Sequence, residues 1–102
     1  MDKTEALNIV RKYAEVLRHT FEFQKIILFG SYAKGNPHKD SDIDIAIVFS
    51  DYSNRLDRQV ELMKLTVQID TRIEPHPFRA SEFNLSNPFV NDIVCNGMEV
   101  TV

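Results

Sequence analysis

Apolar residues recur at helical spacing near the amino terminus, where Leu7, Val10, Ala14, Leu17 and Phe21 fall on i, i+3, i+7 steps. The spacing predicts an amphipathic helix over residues 2–20 with that stripe buried. Asp2 is placed to cap it, and Glu5 follows three residues on. Lys3, Arg11, Lys12, Glu15 and Arg18 lie mostly off the stripe and read as a solvated face. Residues 24–29 form an apolar run closed by Gly30, too short for an independent helix, and read as a buried strand. Residues 31–34 suit one helical turn before Gly35, Asn36 and Pro37 break the chain. Residues 43–49 are apolar on both faces after Asp44, as in a central strand covered on both sides.

The second half continues the alternation. Residues 54–67 predict a helix capped by Asn54, with Leu56, Val60, Met63 and Val67 as its apolar stripe. Residues 68–74 alternate, with Ile69, Thr71 and Ile73 on one face and Asp70, Arg72 and Glu74 on the other. That pattern predicts a third strand ending before Pro75 and Pro77. Asn87 and Pro88 open a last short helix, with Phe89, Val90, Ile93 and Val94 on its apolar side and Gly97 at its end. The whole describes an α/β (α+β) fold, a small mixed β-sheet backed by helices, as a single domain over residues 1–102. The apolar residues near the carboxyl terminus, Met98 and Val100 among them, read as core rather than interface.

Composition narrows the function. A chain of 102 residues suits one modest core and excludes a large two-domain enzyme. The net charge of −3 provides no basic field for nucleic acid, so none is expected as partner. The single Cys95 cannot form an intrachain disulfide and reads as a small buried apolar residue. The mixed-charge amino terminus is unlike a signal peptide, and no apolar stretch approaches the roughly 18 residues that span a membrane. A cytoplasmic protein without membrane contact is the expectation.

The chemistry lies between the first two strands. Gly30-Ser31 is followed by ten residues and then Asp42-Ile43-Asp44, at the head of the second apolar run. On a strand the two aspartates project from one face. Adjacent carboxylates repel and are costly to bury, and a divalent cation makes such a pair favourable. Asp42 and Asp44 are therefore candidate ligands for two ions that serve the attacking and leaving oxygens of a phosphoryl centre. Gly30 lets backbone approach a phosphate closely, and the amide and hydroxyl of Ser31 suit phosphate oxygens. Lys34, and with less weight Lys39, adds positive charge. A third carboxylate, as metal ligand or general base, is offered by Asp70 or Glu74. His38 reads as an exposed loop residue, and His76, between two prolines, is a weaker candidate for touching substrate. Singly, each feature is more often a turn, a strand cap or a surface charge; their conjunction is what points to nucleotide chemistry.

Gly30-Ser31-x10-Asp42-x-Asp44 resembles the signature of the DNA polymerase β-like nucleotidyltransferase superfamily, and within it the minimal nucleotidyltransferase (MNT) group of small prokaryotic proteins. The resemblance covers most of the chain and implies the polymerase β-like fold. It implies Mg²⁺-dependent transfer of a nucleoside monophosphate from an NTP, AMP from ATP being favoured, with pyrophosphate released. Carried over, Gly30 and Ser31 would bind triphosphate, with Lys34 beside them, and Asp42 and Asp44 two Mg²⁺ ions. Members often place an acid about eight residues before a Glu-Phe pair; Ile73-Glu74 stands at that distance from Glu82-Phe83. This favours Glu74 as third catalytic acid and metal ligand, with Asp70 the alternative. The resemblance also implies a HEPN-type toxin as partner, neutralised by transfer of AMP to one of its tyrosines.

Other readings compete with an active antitoxin. One is a catalytically weak module that neutralises a partner by masking it, and another is a small-molecule transferase of the aminoglycoside-modifying kind. A homo- or hetero-oligomer is compatible with either. A metal-binding regulatory domain is a further reading, and polymerase activity is disfavoured by the acidic balance. The intact Gly-Ser step and both aspartates favour the enzyme.

Overall fold

A computed structural model describes residues 2–37 and 41–101. Helix α1 (Lys3–Arg18) begins at the expected cap, where the Asp2 carboxylate accepts the Glu5 amide at 2.9 Å. Val10, Ala14 and Leu17 are buried, joined by Ala6 and Tyr13, while Leu7 and Phe21 pack at the margin. Strand β1 (Lys25–Phe29) leads through Gly30 into the one-turn helix α2 (Ser31–Lys34), and β2 (Ile43–Phe49) follows. Helix α3 (Arg55–Thr66), strand β3 (Ile73–Arg79), a 3-10 turn (Ala80–Glu82), helix α4 (Pro88–Asn96) and strand β4 (Met98–Val100) complete the chain.

The four strands form one mixed sheet in the order β3-β2-β1-β4. β2 runs parallel to β3 and antiparallel to β1, and β4 pairs antiparallel with β1. As its two-sided apolar pattern requires, β2 is central. Ile43, Ile45, Ile47 and Phe49 join the cluster with α1 and Leu62 of α3. Ala46 lies on the opposite face with Ile27, Phe29 and Phe78, under Val90 and Ile93 of α4. Among the described residues no helix is long and apolar enough to cross a membrane.

Four expectations are corrected. The third strand does not occupy residues 68–74; residues 67–72 turn, and β3 starts at Ile73 and runs through both prolines. It can do so because it is an edge strand. The Pro75 and Pro77 carbonyls accept from Gln59 Nε2 (2.6 Å) and the Tyr52 hydroxyl (3.3 Å), so these residues face away from β2, where no ladder N–H is needed. The α3 stripe is also reversed: Leu56 and Val67 are 71% and 72% exposed, and the buried side is Leu62 and Thr66. Cys95 is exposed on α4, as are Phe89 and Val94 in part, whereas Val90 and Ile93 enter the core. Finally, residues 98–100 form a strand that the sequence pattern did not announce. Gly97 allows the turn into it, since a Cβ there would meet the carbonyls of Ile93 and Leu28.

Candidate active site

Register brings the chemical residues together. Phe29 at the end of β1 pairs with Asp44 of β2, and Asp44 pairs in turn with Glu74 of β3. Asp44 and Glu74 lie on the α4 side of the sheet because they are in step with Ala46 and Phe78, not with the isoleucines. Asp42 stands one residue before β2 and is exposed.

Gly30 follows Phe29 directly and has φ 77°, ψ −153°, a conformation open essentially to glycine alone. A Cβ on it would sit 2.5 Å from Asp44 Oδ2. The missing side chain is thus what lets backbone pass against the carboxylate. Ser31 opens α2 beside it. The Lys34 ammonium lies 3.7 Å from the Asp92 carboxylate of α4, both about half exposed. His38 and Lys39 lie outside the described residues.

The two candidate third acids part company. Asp70 lies in the turn before β3 and grips Arg72, with Nε to Oδ1 at 3.0 Å and an Nη2 contact of 2.6 Å to Oδ2. The Arg72 guanidinium holds the Asp70 carboxyl below the usual carboxylate range. Glu74 instead adjoins the aspartates. Burial, then a hydrogen bond shared with Asp42 and the charge of Asp44, push its carboxyl above the usual range.

His76 belongs to the same cluster. Its Nε2 is 3.3 Å from Asp44 Oδ1 and 4.0 Å from Glu74 Oε1. One ligand atom from each of Asp44, Glu74 and His76 falls within 4.8 Å of the others, a donor set able to hold a divalent cation. The sequence reading gave His76 little weight because it ended the strand too soon. Once β3 includes it, His76 shares a face with Glu74 two residues earlier, and that period-2 relation was the available signal. A separate cleft of about 570 Å³ lies at the opposite end of β1, lined by Phe21, Phe23 and Glu99 among others, away from these groups.

The model of the family described as polymerase beta, nucleotidyltransferase matches residues 11–100. The chain belongs to the polymerase beta nucleotidyltransferase family. This nucleotidyltransferase is 31% identical over 81 residues to a Methanocaldococcus jannaschii protein provisionally named protein adenylyltransferase MJ1379, covering 72% of this chain and 81% of the relative. It is 36% identical over 64 residues to protein adenylyltransferase MntA of Shewanella oneidensis, covering 62% of this chain. The match spans 46% of MntA, about half its length. Among solved structures, a chain from the crystal structure of a toxin–antitoxin with AMP-PNP superposes with a TM-score of 0.66 and 28% identity, over 93% of this nucleotidyltransferase and 72% of that chain.

Proposed function

We propose that this nucleotidyltransferase moves AMP from ATP to a hydroxyl of a protein partner, a tyrosine of a HEPN-type toxin, and so acts as its antitoxin. The observation that carries the reading is the convergence of the Gly30 backbone, Asp44 and Glu74 at one end of three neighbouring strands. The adenylyltransferase relatives favour ATP as donor, and the toxin–antitoxin neighbour favours a toxin as acceptor.

Each residue is given a role that its position supports. The Gly30 backbone and Ser31 hydroxyl receive triphosphate oxygens where no side chain intervenes, and Lys34 contributes charge at the rim after leaving Asp92. Asp42, Asp44 and Glu74 hold Mg²⁺, for which clustered carboxylate oxygens are suitable ligands. One or two such ions, when bound, neutralise the triphosphate and the departing pyrophosphate. The acceptor oxygen bonds to the α-phosphorus, the bond from that phosphorus to the pyrophosphate oxygen breaks, and the hydroxyl proton passes to a carboxylate of the cluster. Asp70, committed to Arg72, takes no part.

The test is incubation with Mg²⁺ and each NTP labelled at the α-phosphate, with and without a HEPN-type partner. Label from ATP on a partner tyrosine is expected. Tight binding without label would replace this reading with neutralisation by masking.

A further inference from the structure

We infer that His76 is a metal ligand, supplying a nitrogen donor that shifts the preference of this site from Mg²⁺ toward a first-row transition ion such as Mn²⁺. The inference rests on the proposed reading of Asp44 and Glu74 as the cation site and deepens it. Octahedral ligands at about 2.1 Å stand roughly 3 Å apart when adjacent and roughly 4 Å apart when opposite. The His76 Nε2 distances, 3.3 Å to Asp44 Oδ1 and 4.0 Å to Glu74 Oε1, lie near those two values. Small side-chain adjustments therefore bring all three atoms onto one ion.

The imidazole is held for this purpose. His76 pairs in register with Ala46, a fully buried residue whose single methyl leaves room on the sheet for the ring to lean toward Asp44. The ring packs at 5.3 Å from Phe29, and its side chain is 24% exposed. Pro75 and Pro77 fix φ on either side. An all-carboxylate site suits Mg²⁺, a hard ion that keeps oxygen ligands, whereas imidazole is a better donor to transition ions. The competing role for His76 is a hydrogen-bond partner that merely orients Asp44.

The two roles separate on Mn²⁺ binding followed by electron paramagnetic resonance, with Mg²⁺ as competitor. Wild type is expected to show a ¹⁴N coupling on bound Mn²⁺, absent from His76→Gln, whose amide can still reach Asp44. Even groups one step removed from a metal change its affinity on the order of 10–100-fold, so the Mn²⁺ over Mg²⁺ preference should fall at least about tenfold in His76→Gln. Mn²⁺ bound without nitrogen coupling, or an unchanged preference in the variant, overturns the role of His76 and leaves the carboxylate site standing. Wild type binding Mn²⁺ no more tightly than Asp44→Asn overturns the underlying site as well.

Discussion

At the scale of single residues, Gly30 and the paired acids make opposite demands. Gly30 is needed for what it lacks. In Gly30→Ala the new methyl must meet Asp44 Oδ2 and the backbone must hold a region nearly closed to alanine. Such strain costs about 1–3 kcal/mol, so a lower urea midpoint together with weakened triphosphate binding is expected. As alternating acids four residues apart, Asp70 and Glu74 are equivalent by periodicity; the spacing to Glu82-Phe83 favours Glu74, and the register of β3 sets Glu74 beside Asp44. Glu74→Gln should therefore bring nucleotide transfer to background in a labelled-ATP assay, while Asp70→Asn retains it. Asp70 has its own pH signature. Its folded pKa is depressed, first by the hydrogen bond from Arg72. Its stabilising effect is thus complete above the unfolded value near 4 and is lost as pH falls through the lower folded value. Urea midpoints across the acid range should show that segment of the pH dependence in wild type and not in Asp70→Asn. Loss of transfer in Asp70→Asn with full activity in Glu74→Gln would reverse the assignment.

At the scale of elements, α1, β1, α2 and β2 were legible because each has one dominant periodicity and a capping or breaking residue at its end. α3 was legible as a helix but not in its orientation. It carries two apolar stripes, Leu56, Val60 and Met63 on one side, continued by Val67 at its cap, and Leu62 and Leu65 on the other, continued by Ile69 in the turn that follows. The buried side holds fully buried Leu62 together with Arg58, which periodicity counts as polar. Its guanidinium lies 4.5 Å from the ring centroids of both Phe21 and Phe49, so its side of the helix turns inward. The buried Tyr13 hydroxyl then donates to the Leu62 carbonyl at 2.7 Å, tying α3 to α1. The orientation predicts unequal costs for one chemical change. Leu62→Ala should lose about 2–5 kcal/mol and Leu56→Ala no more than about 0.5 kcal/mol by chemical denaturation. Equal losses would mean that α3 is rotated from the orientation described. Proline ends a strand only where its backbone nitrogen must join the ladder; in β3 the buried Pro75 and Pro77 turn their backbone nitrogens and carbonyls away from β2, so the edge strand runs on.

At the scale of the whole molecule, β4 and the strand order were not legible, since three residues carry little periodicity and pairing with β1 is a long-range choice. The candidate site was largely legible for the opposite reason. Its Gly-Ser step and Asp-x-Asp sit at the ends of neighbouring strands, so short local patterns already mark where the sheet must bring them. That placement has a thermodynamic consequence. Asp42, Asp44 and Glu74 crowd one sheet end, and the Glu74 carboxyl is pushed up first by burial, then by the hydrogen bond with Asp42 and the charge of Asp44, so repulsion is one part of what an ion would relieve. In chelator, Asp44→Asn relieves part of it while its amide can still hydrogen-bond to His76, so the variant should be as stable as wild type or more so. With cation at about 100 times its dissociation constant, wild type gains about 2.7 kcal/mol because binding favours the folded state. For a domain of this size that raises the thermal midpoint by about 10–20 °C, and Asp44→Asn should gain little. The stability order of the two proteins should therefore invert between chelator and cation in paired melting curves. Wild type clearly the more stable in chelator, with no further gain from Mg²⁺ or Mn²⁺, would mean that protein contacts alone hold these carboxylates and that the sheet end is not built around an ion.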